Sequence, residues 1–276
     1  MCATCGCGVD HEHAHDHVHH HDHSHAHDHD HDHDHDHDHQ HDGDADRSRT
    51  IRLERDLLAK NAKLAAENRR RFAEQRVAIF NLIGSPGAGK TALLEAVIRR
   101  LQGTLPLGVI EGDQATDYDA KRIERAGGRA LQINTGTGCH LDASMIESGV
   151  RGLDVARESV VFVENVGNLV CPALFDLGER AKIVVMSVTE GEDKPRKYPH
   201  IFRAAQLFVL TKIDLQPMVR LDQERCFALA RQVNPDLEIL RVSATSGQGI
   251  DAFCTWIQSE AKRAWQGVRR ETRVTP

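Results

Sequence analysis

Eight consecutive residues, Gly84-Ser85-Pro86-Gly87-Ala88-Gly89-Lys90-Thr91, constrain this chain more than any other segment. They match G-x-x-x-x-G-K-[ST] in full, follow an apolar run ending at Ile83, and precede a helical pattern opening at Thr91. A strand, a glycine-rich turn and a helix in that order form a cradle for phosphate groups. Glycines let backbone N–H groups turn toward phosphate oxygens, and the helix N-terminus adds a favourable dipole. In such a loop Lys90 reaches the β- and γ-phosphates, and the Thr91 hydroxyl ligates Mg2+.

The flanking pattern agrees. Strand candidates are Val77–Ile83, Leu107–Glu111, Ala130–Ile133, Val160–Glu164, Lys182–Val188, Leu207–Thr211 and Ile239–Val242. Most are aliphatic runs without polar alternation, which suit strands covered on both faces of a parallel sheet. Between them lie amphipathic helical patterns such as Thr91–Leu101 and Asp251–Trp265. The alternation predicts an α/β fold over 77–276: a doubly wound, mainly parallel sheet with helices on both faces. Residues 47–76 read as a helical leader, with Ser48 or Thr50 as cap, a partial Leu/Ala stripe, and Glu67 placed to pair with Arg70 or Arg71.

Further motifs bear on which nucleotide is bound. Thr211-Lys212-Ile213-Asp214 follows an apolar strand and resembles the [N/T]-K-x-D guanine-recognition element of P-loop GTPases. Asp214 would accept from guanine N1–H and the 2-amino group; adenine would leave that carboxylate unpaired. Lys212 would lie along the base. Thr211 replaces the more usual Asn, which leaves its support of the site open. Ser243-Ala244-Thr245 resembles the second base-contacting loop, through the Ala244 N–H. Glu164-Asn165-Val166-Gly167 stands where a D-x-x-G magnesium and γ-phosphate sensor would, with Glu164 toward the metal and Gly167 N–H toward the phosphate. Asn168, not a water-positioning Gln, follows Gly167, so turnover alone should be slow. Asp113 is a candidate second magnesium-side carboxylate, with turn capping as the alternative; Asp117 is a weaker candidate. Lys90, Thr91, Glu164 and Asp113 form the expected catalytic set.

The N-terminal region is chemically different. Residues 1–46 hold 17 of the 19 histidines, 13 acidic residues and no Lys or Arg. They therefore carry −13 within a chain of net charge −6, which leaves +7 on the rest. Segment 9–46, nearly free of apolar residues, does not repay its ordering entropy and is expected to be disordered. Its imidazoles suit Ni, Cu, Zn or Co in several weak sites. Cys2, Cys5 and Cys7, within residues 1–8, can surround one soft or borderline cation. Inside the domain, Cys139, His140 and Cys171 give three donors for Zn2+ or Ni2+ if their loops converge, leaving one open position. Cys226 and Cys254 read as small buried residues. The mild, dispersed surplus of +7 does not predict a nucleic-acid partner. No apolar run approaches the roughly 18 residues of a membrane span, and no apolar signal core follows Met1. Membrane insertion and secretion are not expected.

Taken together, M-C-x-T-C-G-C-G, the His-rich insert, G-S-P-G-A-G-K-T, T-G-x-x-C-H, E-N-x-G-N-L-V-C-P and K-x-D resemble, in order, the hydrogenase nickel-incorporation GTPases of the HypB family. The resemblance implies a metal-dependent, dimerising P-loop GTPase of the cytoplasm. It implies nickel at Cys2, Cys5 and Cys7, and zinc or nickel at Cys139, His140 and Cys171 near a dimer interface. It also implies a HypA-type zinc/nickel chaperone as partner and the [NiFe]-hydrogenase large subunit precursor as client. Alternatives are a non-catalytic nickel buffer with a regulatory nucleotide domain, or a urease- or cobalamin-type metallochaperone GTPase.

Overall fold

A computed structural model describes residues 41–113, 118–136, 138 and 140–271. Cys2, Cys5, Cys7, Asp117, Cys139 and the tail 9–40 lie outside the described residues. Seven parallel strands form one sheet: β1 (Val77–Ile83), β2 (Leu107–Asp113), β3 (Arg129–Asn134), β4 (Ser159–Glu164), β5 (Ala181–Ser187), β6 (Leu207–Thr211) and β7 (Glu238–Arg241). Their order is β3-β2-β4-β1-β5-β6-β7. The helices are α1 (His41–Gln75), α2 (Lys90–Leu101), α3 (Tyr118–Arg125), α4 (Ala143–Leu153), α5 (Cys171–Leu174), α6 (Lys194–Lys197), α7 (Pro199–Ala204), α8 (Gln223–Val233) and α9 (Ile250–Glu271). The expected fold class is the observed one.

Both faces are covered, which is why the strands read as apolar runs. Every residue of β1, β4 and β6 is buried. On one face Phe80, Leu82 and Phe162 pack with Leu93, Leu94 and Val97 of α2 and Phe253 and Ile257 of α9. On the other, Val77, Ile79, Val161 and Val163 pack with Phe72 of α1 and Ile146 and Val150 of α4. A third cluster joins Val184, Met186 and Phe208 to Phe202 of α7 and Phe227 of α8. Burying a side chain of this size stabilises by about 1.5–3 kcal/mol, so these layers dominate the fold. Asp142 and Asp222 cap α4 and α8 by accepting N–H bonds at 2.8 Å and 3.0 Å.

The leader differs from expectation in detail. Helix α1 begins at His41, so Ser48 and Thr50 lie within it rather than at its start. Arg70 pairs with Glu74, and Arg71 with Glu147 of α4, rather than with Glu67. Cys226 and Cys254 are buried, as expected, and burial pushes their thiols up to about 12 and about 11. Among the described residues no helix is long and apolar enough to cross a membrane.

Candidate functional site

The chain leaves β1 at Ile83 and enters α2 at Lys90, so Gly84–Gly89 turn at the carboxyl edge of the sheet. Ligands of open α/β sheets collect at that edge, where successive strands diverge to opposite sides. Gly87 and Gly89 adopt φ of +73° and +90°, conformations that side chains resist. A Cβ on Gly84 would stand 2.3 Å from the Val185 carbonyl oxygen, so the loop is pressed against β5. Lys90 is buried, and its Nζ donates to the carbonyls of Gly84 and Ser85 at 3.2 and 3.4 Å. The ammonium thus folds over the mouth of its own loop, where phosphate oxygens are better partners. Pro86 and Ala88 complete the turn; Ala88 is fully buried, and its N–H donates to Ser85 O at 3.1 Å.

Thr91 Oγ1 donates to Glu164 Oε1 at 2.9 Å, which joins the first turn of α2 to the end of β4. Glu111 is the register partner of Glu164 on β2. Facing residues of adjacent parallel strands share a sheet face, so the register brings two carboxyls together in the interior. Both are buried, and apart from the facing carboxyl Glu111 Oε1 and Glu164 Oε2 have no hydrogen-bond partner. Burial first, then the charge of Glu164, pushes Glu111 up to about 10, so it carries a proton at neutral pH. Burial also raises Glu164, against the pull of the Lys90 ammonium and the Thr91 hydroxyl. Asp113, expected just beyond β2, is that strand's last residue, and its carbonyl accepts from Thr135 N–H at 3.1 Å.

On the base side, Thr211 ends β6 and its hydroxyl donates to Ala88 O at 2.6 Å. That bond ties the end of β6 to the phosphate loop. Lys212 Nζ donates to Gly87 O at 2.8 Å. Asp214 is exposed, on a 3-10 turn at Ile213–Met218. Ile213 N–H donates to Val242 O at 3.3 Å, which brings this turn beside the Ser243–Ala244 loop. Ser243 is buried and accepts from Ser246 N–H at 3.0 Å, which shapes that loop.

The loop after β4 packs directly on the phosphate loop: a Cβ on Gly167 would lie 2.8 Å from Pro86 Cγ. Four residues on, Cys171 opens α5 and is buried. The His140 imidazole stacks on Phe175 with centroids 3.7 Å apart, so the His140 turn rests on the segment that Cys171 begins. Burial lowers the His140 pKa, partly opposed by Asp142. Among the described residues, no group of three His, Cys, Asp or Glu side chains is assembled for a metal; Cys139 lies outside them.

The model for the CobW/HypB/UreG nucleotide-binding domain matches residues 78–241. The chain is 52% identical over 212 residues to the hydrogenase maturation factor HypB of Escherichia coli strain K12, covering 77% of this chain and 73% of that one. It is also 52% identical over 227 residues to HypB of Azotobacter vinelandii, covering 82% and 73%. The chain belongs to the HypB family of hydrogenase maturation factors. The crystal structure of HypB from Archaeoglobus fulgidus superposes with a TM-score of 0.68 at 37% identity, covering 74% of this chain and 99% of that one. HypB from Helicobacter pylori in complex with nickel gives 0.70 at 32% identity, covering 75% and 97%.

Two site features of this HypB-family chain escaped the sequence reading. Glu111 was absent from the candidate carboxylates, although a charged residue at the end of an apolar run was itself the signal. Lys194, on α6, contacts both Glu190 and the Ser85 hydroxyl and places a third ammonium at the phosphate loop, after those of Lys90 and Lys212. Nothing local marks it: Ser85 lies 109 residues away.

Proposed function

We propose that this chain hydrolyses GTP to GDP and phosphate and uses the cycle to deliver nickel to the large subunit precursor of [NiFe]-hydrogenase. The observation that carries the reading is the packing of Gly167 on Pro86, four residues before Cys171. One short backbone stretch therefore touches the phosphate loop and opens the metal-donor segment.

In this reading the backbone N–H groups of residues 87–91 hold the phosphates. Lys90 leaves the carbonyls of Gly84 and Ser85 for the β- and γ-phosphate oxygens, and Gly167 N–H meets the γ-phosphate. Asp214 reads the guanine edge, Lys212 lies along the base, and the Ala244 N–H adds the second base contact. Thr91, Glu164 and Asp113 would hold Mg2+. The donor set fits a hard cation: the buried Glu164 carboxyl lies within hydrogen-bonding distance of the Thr91 hydroxyl, and both are oxygen donors. When bound, Mg2+ neutralises charge on the β- and γ-phosphate oxygens. Loss of the γ-phosphate releases Gly167 and, with it, the Cys171 segment, so the cation held by Cys139, His140 and Cys171 is freed. Zinc is the other candidate at that site, and Cys2, Cys5 and Cys7 with the His-rich run store nickel. A HypA-type chaperone, a nucleotide- or metal-dependent homodimer and a cytoplasmic setting complete the proposal.

Lys90→Ala tests it. GTP turnover is expected to fall at least 100-fold, on the order expected for loss of a transition-state charge contact, while nickel content of the full chain stays unchanged. A wild-type protein that binds nickel yet never hydrolyses GTP, even with partners present, would instead be a nickel buffer.

A further inference from the structure

Asn165 follows Glu164 and is 2% exposed. Its Oδ1 accepts two backbone N–H groups: Val166 at 3.0 Å and Leu141 at 3.3 Å. Val166 belongs to the loop that carries Gly167 onto Pro86; Leu141 directly follows His140. Its Nδ2 donates to Asn81 Oδ1 at 3.3 Å, in the middle of β1. Asn81 in turn donates to Glu179 Oε1 at 3.4 Å. Glu179 pairs with Lys182 at 3.3 Å and accepts from Leu177 N–H at 2.6 Å. Lys182 Nζ donates to Phe175 O at 2.7 Å, with the carbonyls of Pro172 and Ala173 at 3.4 and 3.5 Å. Phe175 carries the ring on which His140 stacks.

These bonds form one continuous polar chain through the interior, from the γ-phosphate loop to both ends of the proposed inner metal site. Asn81 is fully buried in a strand otherwise made of apolar residues, where an amide serves packing poorly. We propose that Asn165 is the positioning residue that couples nucleotide state to the metal site, with Asn81, Glu179 and Lys182 carrying the linkage to the Cys171–Phe175 segment. The proposal rests on the reading in which GTP hydrolysis displaces the Gly167 loop. One oxygen serves both the Val166 and the Leu141 N–H, so a shift of roughly 1 Å in the loop takes one bond beyond hydrogen-bonding range. Buried amides left without a partner are costly, so the His140 turn must follow or re-pair. Two discrete arrangements of a packed polar network supply the bistable element that such coupling requires.

The experiment uses the full chain. Affinities for GDP and for a non-hydrolysable GTP analogue are measured with Mg2+, each with and without saturating Ni2+, in wild type, Cys171→Ala, Asn165→Ala and Lys182→Met. In wild type Ni2+ should change the GTP-analogue-to-GDP affinity ratio by about 5- to 150-fold. Cys171→Ala should abolish that change, which assigns it to the inner site rather than to the tail. Asn165→Ala and Lys182→Met should bring it within about threefold of the Cys171→Ala value, while metal-free affinities stay near wild type. If Asn165→Ala does not fold, Lys182→Met, which keeps the aliphatic stem, decides alone. A wild-type-sized change in the variants overturns the linkage and leaves the functional reading standing. Metal-free affinities that fall while the nickel effect persists show a merely structural role and also overturn it. No nickel effect in wild type removes the functional reading and this proposal together.

Discussion

Glu111→Gln isolates the energetic cost of the buried carboxyl pair. In the folded chain Glu111 sits near pKa 10, against 4.5 for an ordinary glutamate. Between those values the folded state holds a proton that the unfolded state has released. Stability therefore falls as pH rises through that window, by about 1.4 kcal/mol per pH unit at the limit. Full stability from this group is present only below pH 4.5. Gln is neutral at every pH and nearly the same size, so the variant escapes the loss. From pH 6 to pH 8 the stability of Glu111→Gln relative to wild type should rise by about 3 kcal/mol. Urea denaturation in EDTA at pH 6, 7 and 8 measures this, read as the difference between the two proteins. The histidines of residues 1–46 titrate alike in both and cancel. A difference that stays constant across the three pH values would refute the buried, protonated state of Glu111.

The hydroxyl of Thr211 donates to the Ala88 carbonyl at 2.6 Å. Thr211→Val should cost about 1–3 kcal/mol, seen as a lowered Tm in thermal melts, with weaker nucleotide binding because the phosphate loop loses its tie to β6. At Gly167 an added methyl meets Pro86 Cγ at 2.8 Å and Pro86 N at 3.1 Å. Gly167→Ala should therefore push the loop off the phosphate site and weaken a GTP analogue more than GDP in equilibrium titrations; equal weakening would place Gly167 away from the γ-phosphate.

Much of the fold was legible because its signals are local. Runs such as Val77–Ile83 and Leu207–Thr211 are apolar but for Asn81 and Thr211, since both sheet faces are covered, and the strands match those runs residue for residue. The phosphate loop is likewise a local object: glycines at positive φ between a strand end and a helix start. The start of α1 was less legible, because the helix continues back to His41 straight through Gly43, a residue whose type ordinarily marks a break.

What no stretch of sequence carries is the register between strands. In a parallel sheet with order β3-β2-β4-β1-β5-β6-β7, chain neighbours are often not spatial neighbours. Strand pairing alone sets Glu111 beside Glu164, and loop packing alone sets Thr211 against Ala88 and Asn165 against both Leu141 and Asn81. Residue types declared which chemistry was available; long-range burial decided which of those groups meet, because only the closed interior removes water and forces each polar atom to find its partner.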